Sequence, residues 1–82
     1  MDNINHPFHY NSGKIETYDY IEDQGLNYAR GNVIKYVSRA GKKKASDKTA
    51  IESELEDLKK ANWYLNKEIK RIERLARKVE KK

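Results

Sequence analysis

Gly31, Lys35 and Arg39 follow one another at i, i+4 and i+8, a spacing that sets them close to one face of a helix. An ammonium and a guanidinium so placed suit the oxygens of phosphate groups, the guanidinium in bidentate fashion. Asn32 and Tyr36 lie on a neighbouring face with Arg39. The amide both donates and accepts, and the phenol offers a stacking ring or a hydroxyl, as contacts to a base edge or a ribose require. Glycine inside a helix costs about 1 kcal/mol relative to alanine, so Gly31 implies close approach of a neighbouring backbone or of a ligand. Gly41, Lys42, Lys43 and Lys44 continue the segment as a basic turn. Residues 31–44 are therefore the first candidate site, a grip for phosphates. A plain crossing of two helices with solvated bases is the competing reading of the same residues.

Three other groups could carry chemistry. His6 and His9 stand three apart in an N-terminal arm with Pro7, Phe8 and Tyr10. They suit contact with a phosphate or proton transfer near neutral pH, and no third and fourth partner accompanies them as a zinc site needs. Glu52, Glu54, Glu56 and Asp57 offer carboxylates to a hard cation. Their spacing partly resembles the carboxylate motif of all-α nucleotide pyrophosphohydrolases, but the matching motif on an earlier helix is missing, and a solvated first turn explains the run as well. Trp63 and Tyr64 read as core or interface before ligand platform. No Walker loop, dinucleotide fingerprint or nucleophile-base arrangement is present. No catalytic residue, metal ligand set or cofactor is assigned.

The elements that must hold these residues are helical. A short helix is expected over about 14–24, stopped by Gly25, and a second over about 27–40, stopped by Gly41. The third, about 47–80 and capped by Ser46 or Asp47, carries the strongest pattern. Ile51, Leu55, Leu58, Asn62, Leu65, Ile69, Ile72, Ala76 and Val79 form an unbroken heptad seam whose one polar member is Asn62. The fold class is all-α, two short helices packed on one long C-terminal heptad helix. Two short helices cannot cover so long a stripe, so a homo-oligomer is expected, with Asn62 fixing its register. The chain reads as a single helical domain over 1–82: an arm at 1–13, a core at 14–68 and a basic coiled-coil-like tail at 69–82.

Composition fits. With 82 residues, 37% hydrophobic and 38% charged, the chain has little core of its own, and chains this small usually need reinforcement. Without cysteine, disulfides cannot supply it. No signal sequence or apolar span is visible, so a soluble, cytoplasmic protein without membrane partners is expected. The net charge of +5 conceals segregation: residues 1–29 hold one Lys against five acids, while Arg30 to Lys44 hold six bases and no acid. Eight bases against three acids follow Leu65. An anionic partner suits such islands.

The strings HPFHY, GNVIKYVSRAGKK and DLKKANWYL, in that order, resemble an uncharacterised phage domain family with the pattern HPxHY, GNxxKYxxRxGxK and DLxKAxxYL. The resemblance covers about residues 5–68. The same domain forms part of a phage nucleotide kinase that lacks a Walker loop and phosphorylates deoxynucleoside monophosphates. In general shape the chain is also similar to small helical phage proteins that sequester nucleotide immune signals. The resemblance implies a ligand site made of His6, His9, Tyr10, Gly31, Asn32, Lys35, Tyr36, Arg39, Gly41 and Lys42. Since only the domain is present, holding a nucleotide-derived signal in an infected bacterial host is the expected function, and catalysis is not. The alternatives are a nucleotide kinase or phosphohydrolase, or a coiled-coil protein that binds nucleic acid or a host factor through its tail. Nucleic acid is not the expected partner.

Overall fold

The protein is described here from a computed structural model, which describes residues 13–42 and 48–80. All regular structure among them is α-helical: α1 (Thr17–Gln24), α2 (Tyr28–Arg39) and α3 (Lys48–Glu80). The expected arm residues His6, His9 and Tyr10, the turn lysines Lys43 and Lys44, and the expected caps Ser46 and Asp47 lie outside the described residues.

α1 ends where Gly25 takes a left-handed conformation, φ 64° and ψ 34°. The Gly25 and Leu26 amides donate to the carbonyls of Glu22 and Ile21, the paired bonds of a Schellman stop. This turns the chain at once into α2, whose N-cap is Asn27, its side-chain oxygen accepting from the Arg30 amide at 2.8 Å. That contact satisfies one of the amide donors a helix start leaves open. α2 stops at Ala40, whose backbone turns extended, and Gly41 follows at φ 78°.

α1 packs on α2 through Gly31. A Cβ at that position would stand 3.1 Å from Ile21 Cγ2, so the glycine admits an Ile methyl where any larger residue would crowd it. Of the two readings of Gly31, the geometry supplies the helix crossing.

α2 lies antiparallel to α3. Arg39 meets Asp57, Tyr36 meets Tyr64, and Arg30 meets Glu68, so positions falling along one helix match positions rising along the other. At about 1.5 Å per residue α2 is about 18 Å long and α3 about 50 Å, so α2 spans only the middle of its neighbour. The least exposed positions of α3 are Ala50, Ser53, Asp57, Ala61, Tyr64 and Glu68, a helical stripe of mostly small or polar residues. The apolar seam lies beside that stripe and outside it. Ala61 is the one buried hydrophobic side chain among the described residues, while the large aliphatic seam residues are between 40% and 70% exposed. Val37 of α2 is half exposed as well.

Polar contacts therefore carry much of the α2–α3 junction. The Glu68 carboxylate is buried and accepts from Asn27 Nδ2 at 2.9 Å and Arg30 Nε at 2.7 Å. It also takes both branches of the Arg71 fork, at 3.0 and 2.9 Å. Asn27 thus caps α2 with its oxygen and ties it to α3 with its nitrogen. Hydrogen bonds from Arg71, then Asn27 and Arg30, hold the Glu68 carboxyl at about 2, well below the usual carboxylate range.

Candidate functional site

Two chemically different faces flank the α2–α3 pair, and the candidate site is the polar one. Tyr36 and Tyr64 stack across the junction, ring centroids 6.0 Å apart and planes 12° from parallel. Tyr28 and Trp63 meet Tyr64 edge-on, at 5.9 Å and 5.1 Å. The four rings form one aromatic patch, with Tyr28 78% and Trp63 56% exposed. Its rings are stacked at the centre and exposed at the rim. Hydrogen bonding to Tyr28, with desolvation behind it, raises the Tyr64 hydroxyl above the usual phenol range, so at neutral pH it remains a donor.

Cations surround these rings. Lys35 Nζ and Arg39 Cζ each lie 5.1 Å from the centre of the Tyr36 ring, and Lys60 Nζ lies 5.5 Å from it. Lys67 Nζ stands 5.0 Å from the centre of Trp63. Each is within cation–π range. Lys35, Lys60 and Lys67 make no ion pair among the described residues, so their charge is available to an anion.

Arg39 is placed differently. Its Nη2 donates to Asp57 Oδ1 at 2.8 Å and its Nε to Oδ2 at 3.4 Å, and Asp57 is only 4% exposed. The fork read as a bidentate phosphate ligand is turned on a carboxylate of its own chain, where it also fixes the position of Tyr36. Asp57 is thereby drawn away from the acidic run considered for a cation. Among the described residues no three His, Asp or Glu side chains come together as metal ligands would.

The remaining sequence candidates divide in the same way. Lys35 and Tyr36 stand at the centre of the patch. Asn32 is buried, its Nδ2 donating to the Tyr28 carbonyl at 2.9 Å, so half of its amide is used inside its own helix. Gly31 lies under Ile21. Gly41 and Lys42 lie exposed in the turn after α2, the Lys42 amide donating to the Arg39 carbonyl at 3.1 Å, and a Cβ on Gly41 would stand 2.9 Å from Glu54 Oε2.

Lys60, Lys67 and Tyr28 join the candidate site although the motif reading passed over them, and Tyr64 was read as core or interface. A signal was available. Lys60, Trp63, Tyr64 and Lys67 step by three, one and three, which places them on one face of α3 away from the seam.

Exposed rings beside ammonium groups that lie over Tyr36 and Trp63 can hold a planar heterocycle and the phosphates attached to it. The same pairing of stacking platform and positive charge serves the bases and phosphates of single-stranded nucleic acids. A family model described as a protein of unknown function (DUF3310) matches residues 4–66. No curated protein and no solved structure matches the chain.

Proposed function

The chain belongs to the DUF3310 family, and from that premise we propose that it binds a nucleotide or nucleotide-derived signal and holds it without chemical change. The observation that carries this reading is the convergence of Lys35 and Lys60, neither in an ion pair among the described residues, on the ring of Tyr36, itself stacked on Tyr64. A base would stack against the open rims, Trp63 and Tyr28. The phosphates would lie between Lys35, Lys60 and Lys67, with Lys42 at the end of α2 within the same basic stretch. Arg39 would act through Tyr36, as a positioning residue clamped by Asp57. The resemblance to phage proteins adds His6, His9 and Tyr10 as groups that would close over the ligand, and suggests sequestration of a defence signal inside an infected bacterium as the purpose.

Sequestration needs affinity and nothing more. Base–aromatic stacking contributes roughly 1–3 kcal/mol, and each hydrogen bond to a charged group about 1.5–3 kcal/mol. Three or four such contacts total about 5–12 kcal/mol before the cost of association is subtracted.

Calorimetric titration of the full chain tests this, with dTMP, dGMP and a cyclic dinucleotide as probes. The expected result is saturable binding of at least one probe, weakened about tenfold by Lys35→Ala or Lys60→Ala, and about tenfold by Trp63→Ala. Equal affinity in all three variants and the parent chain would overturn the assignment of this face.

A further inference from the structure

The apolar face opposite the rings is the second unassigned surface. Between α2 and the distal half of α3, with Tyr20 of α1 also lining it, runs an open groove of about 620 Å³. Leu26, Val33 and Ile34 line one side of it, and Leu65, Ile69 and Ile72 the other. Beyond it the proximal seam residues Ile51, Leu55 and Leu58 are exposed with no described element across them. The two halves of one stripe thus differ in form: the distal half walls a groove, and the proximal half is a bare ridge.

We infer that the occupant of this groove is the proximal α3 ridge of a second copy of the chain, docked antiparallel. An antiparallel seam sets Leu55 opposite Ile72, Leu58 opposite Ile69, and Ile51 opposite Ala76, so that each copy's ridge enters the other's groove. The arrangement is isologous and closes on itself as a pair.

Charge selects this direction. Residues 48–58 of α3 hold four acids against one Lys, while residues 69–80 hold five bases against two acids, Glu73 and Glu80. Antiparallel pairing sets the net acidic end of each copy beside the net basic end of the other, with Glu54 facing Glu73 as a like-charged exception, whereas parallel pairing would set ends of like net charge together. Asn62 gains a role as well. It falls next to the two-fold axis, where the two copies' amides stand about 4.5 Å apart along the seam, near enough to bond each other and penalise a slipped register.

The site of the preceding proposal is independent of this pairing. Lys60, Trp63, Tyr64 and Lys67 occupy the side of α3 turned away from the seam, so each copy carries a complete set of rings and lysines facing outward.

Because the chain has no cysteine, single introduced thiols report direction cleanly. Leu58 and Ile69 are eleven residues apart, about 16 Å along the helix, and both are more than 40% exposed, so neither substitution opens a core. Full-length Leu58→Cys and Ile69→Cys proteins are mixed in equal amounts and oxidised. The expected product is a disulfide dimer with one chain of each kind, and at least a fivefold lower yield from either variant alone. Efficient linkage of Leu58→Cys to itself, and of Ile69→Cys to itself, would show a parallel pair and overturn the inference. So would sedimentation of the unmodified protein at the 9.7 kDa of one chain at tens of micromolar. Leu65→Glu separates the two proposals. It is expected to give a helical monomer with nucleotide affinity unchanged, and a protein that remains paired would contradict the seam.

Discussion

Arg39 is the residue on which the motif reading and the geometry differ most, and removing it has a calculable effect. Truncation to alanine leaves the Asp57 carboxylate, with only 6% of its side chain exposed, without the fork that now meets both of its oxygens. Breaking a fully buried pair on one side costs about 3–5 kcal/mol. Arg39 itself is 27% exposed, so water can follow the missing side chain and solvate part of the charge. The cost of Arg39→Ala is therefore set at about 2–3 kcal/mol, including the lost contact with the Tyr36 ring. Asp57→Ala leaves a cation that reaches solvent and should cost less, about 1–2 kcal/mol. The double variant should cost about 2 kcal/mol, well below the sum of the singles, because neither charge is stranded. Urea unfolding followed by far-UV circular dichroism, at one fixed protein concentration, measures all four corners of the cycle. A single Arg39→Ala loss under 0.5 kcal/mol, or singles that add within that margin, would refute the view that this pair fastens α2 to α3. The double variant also isolates the ligand question: near-parent nucleotide affinity in it would exclude Arg39 both from contact with the ligand and from the positioning of Tyr36.

Asn27→Ala removes the α2 cap and a donor to Glu68 together, and is expected to lower unfolding free energy by about 1–2 kcal/mol in the same urea assay. The lowered Glu68 carboxyl gives a pH signature. Its folded value of about 2 lies below the ordinary value of 4.5, so its contribution is complete above about pH 4.5 and is lost as pH falls from there toward 2. Thermal melts between pH 6 and pH 2 should show that decline in the parent chain, and Glu68→Gln should start lower and fall less across the same window.

Helix content was legible from spacing. The expected spans 27–40 and 47–80 differ by a residue or so from Tyr28–Arg39 and Lys48–Glu80, because caps and glycine stops act locally and leave local marks. α1 begins later than expected, at Thr17, with Ile15 left before it and exposed; an apolar residue at helical spacing extends a pattern without being required to join a helix. The α2–α3 junction was not legible. Pattern reading follows apolar residues, and this contact is made by Asp57, Glu68, Arg30 and Asn27, whose pairing spans up to 41 positions of sequence. The same bias hid half of the candidate site. Lys35 and Tyr36 stood in a recognisable motif, whereas Lys60 and Lys67 looked like ordinary solvated lysines until the fold set them beside Tyr36 and Trp63. Gly31 was singled out for a real constraint, the approach of Ile21, which comes from packing.

The central claim is that the face around Tyr36 holds a nucleotide and leaves it intact. The direct measurement is to incubate the full chain with a bound nucleotide probe, Mg²⁺ and ATP for hours, denature it by heat, and identify the released molecule by mass spectrometry. The account predicts that the probe returns in stoichiometric amount with its mass unchanged, and that Lys35→Ala/Lys60→Ala protein retains little of it. Release of a phosphorylated or hydrolysed product, formed in excess of the protein present, would contradict it and make the chain an enzyme.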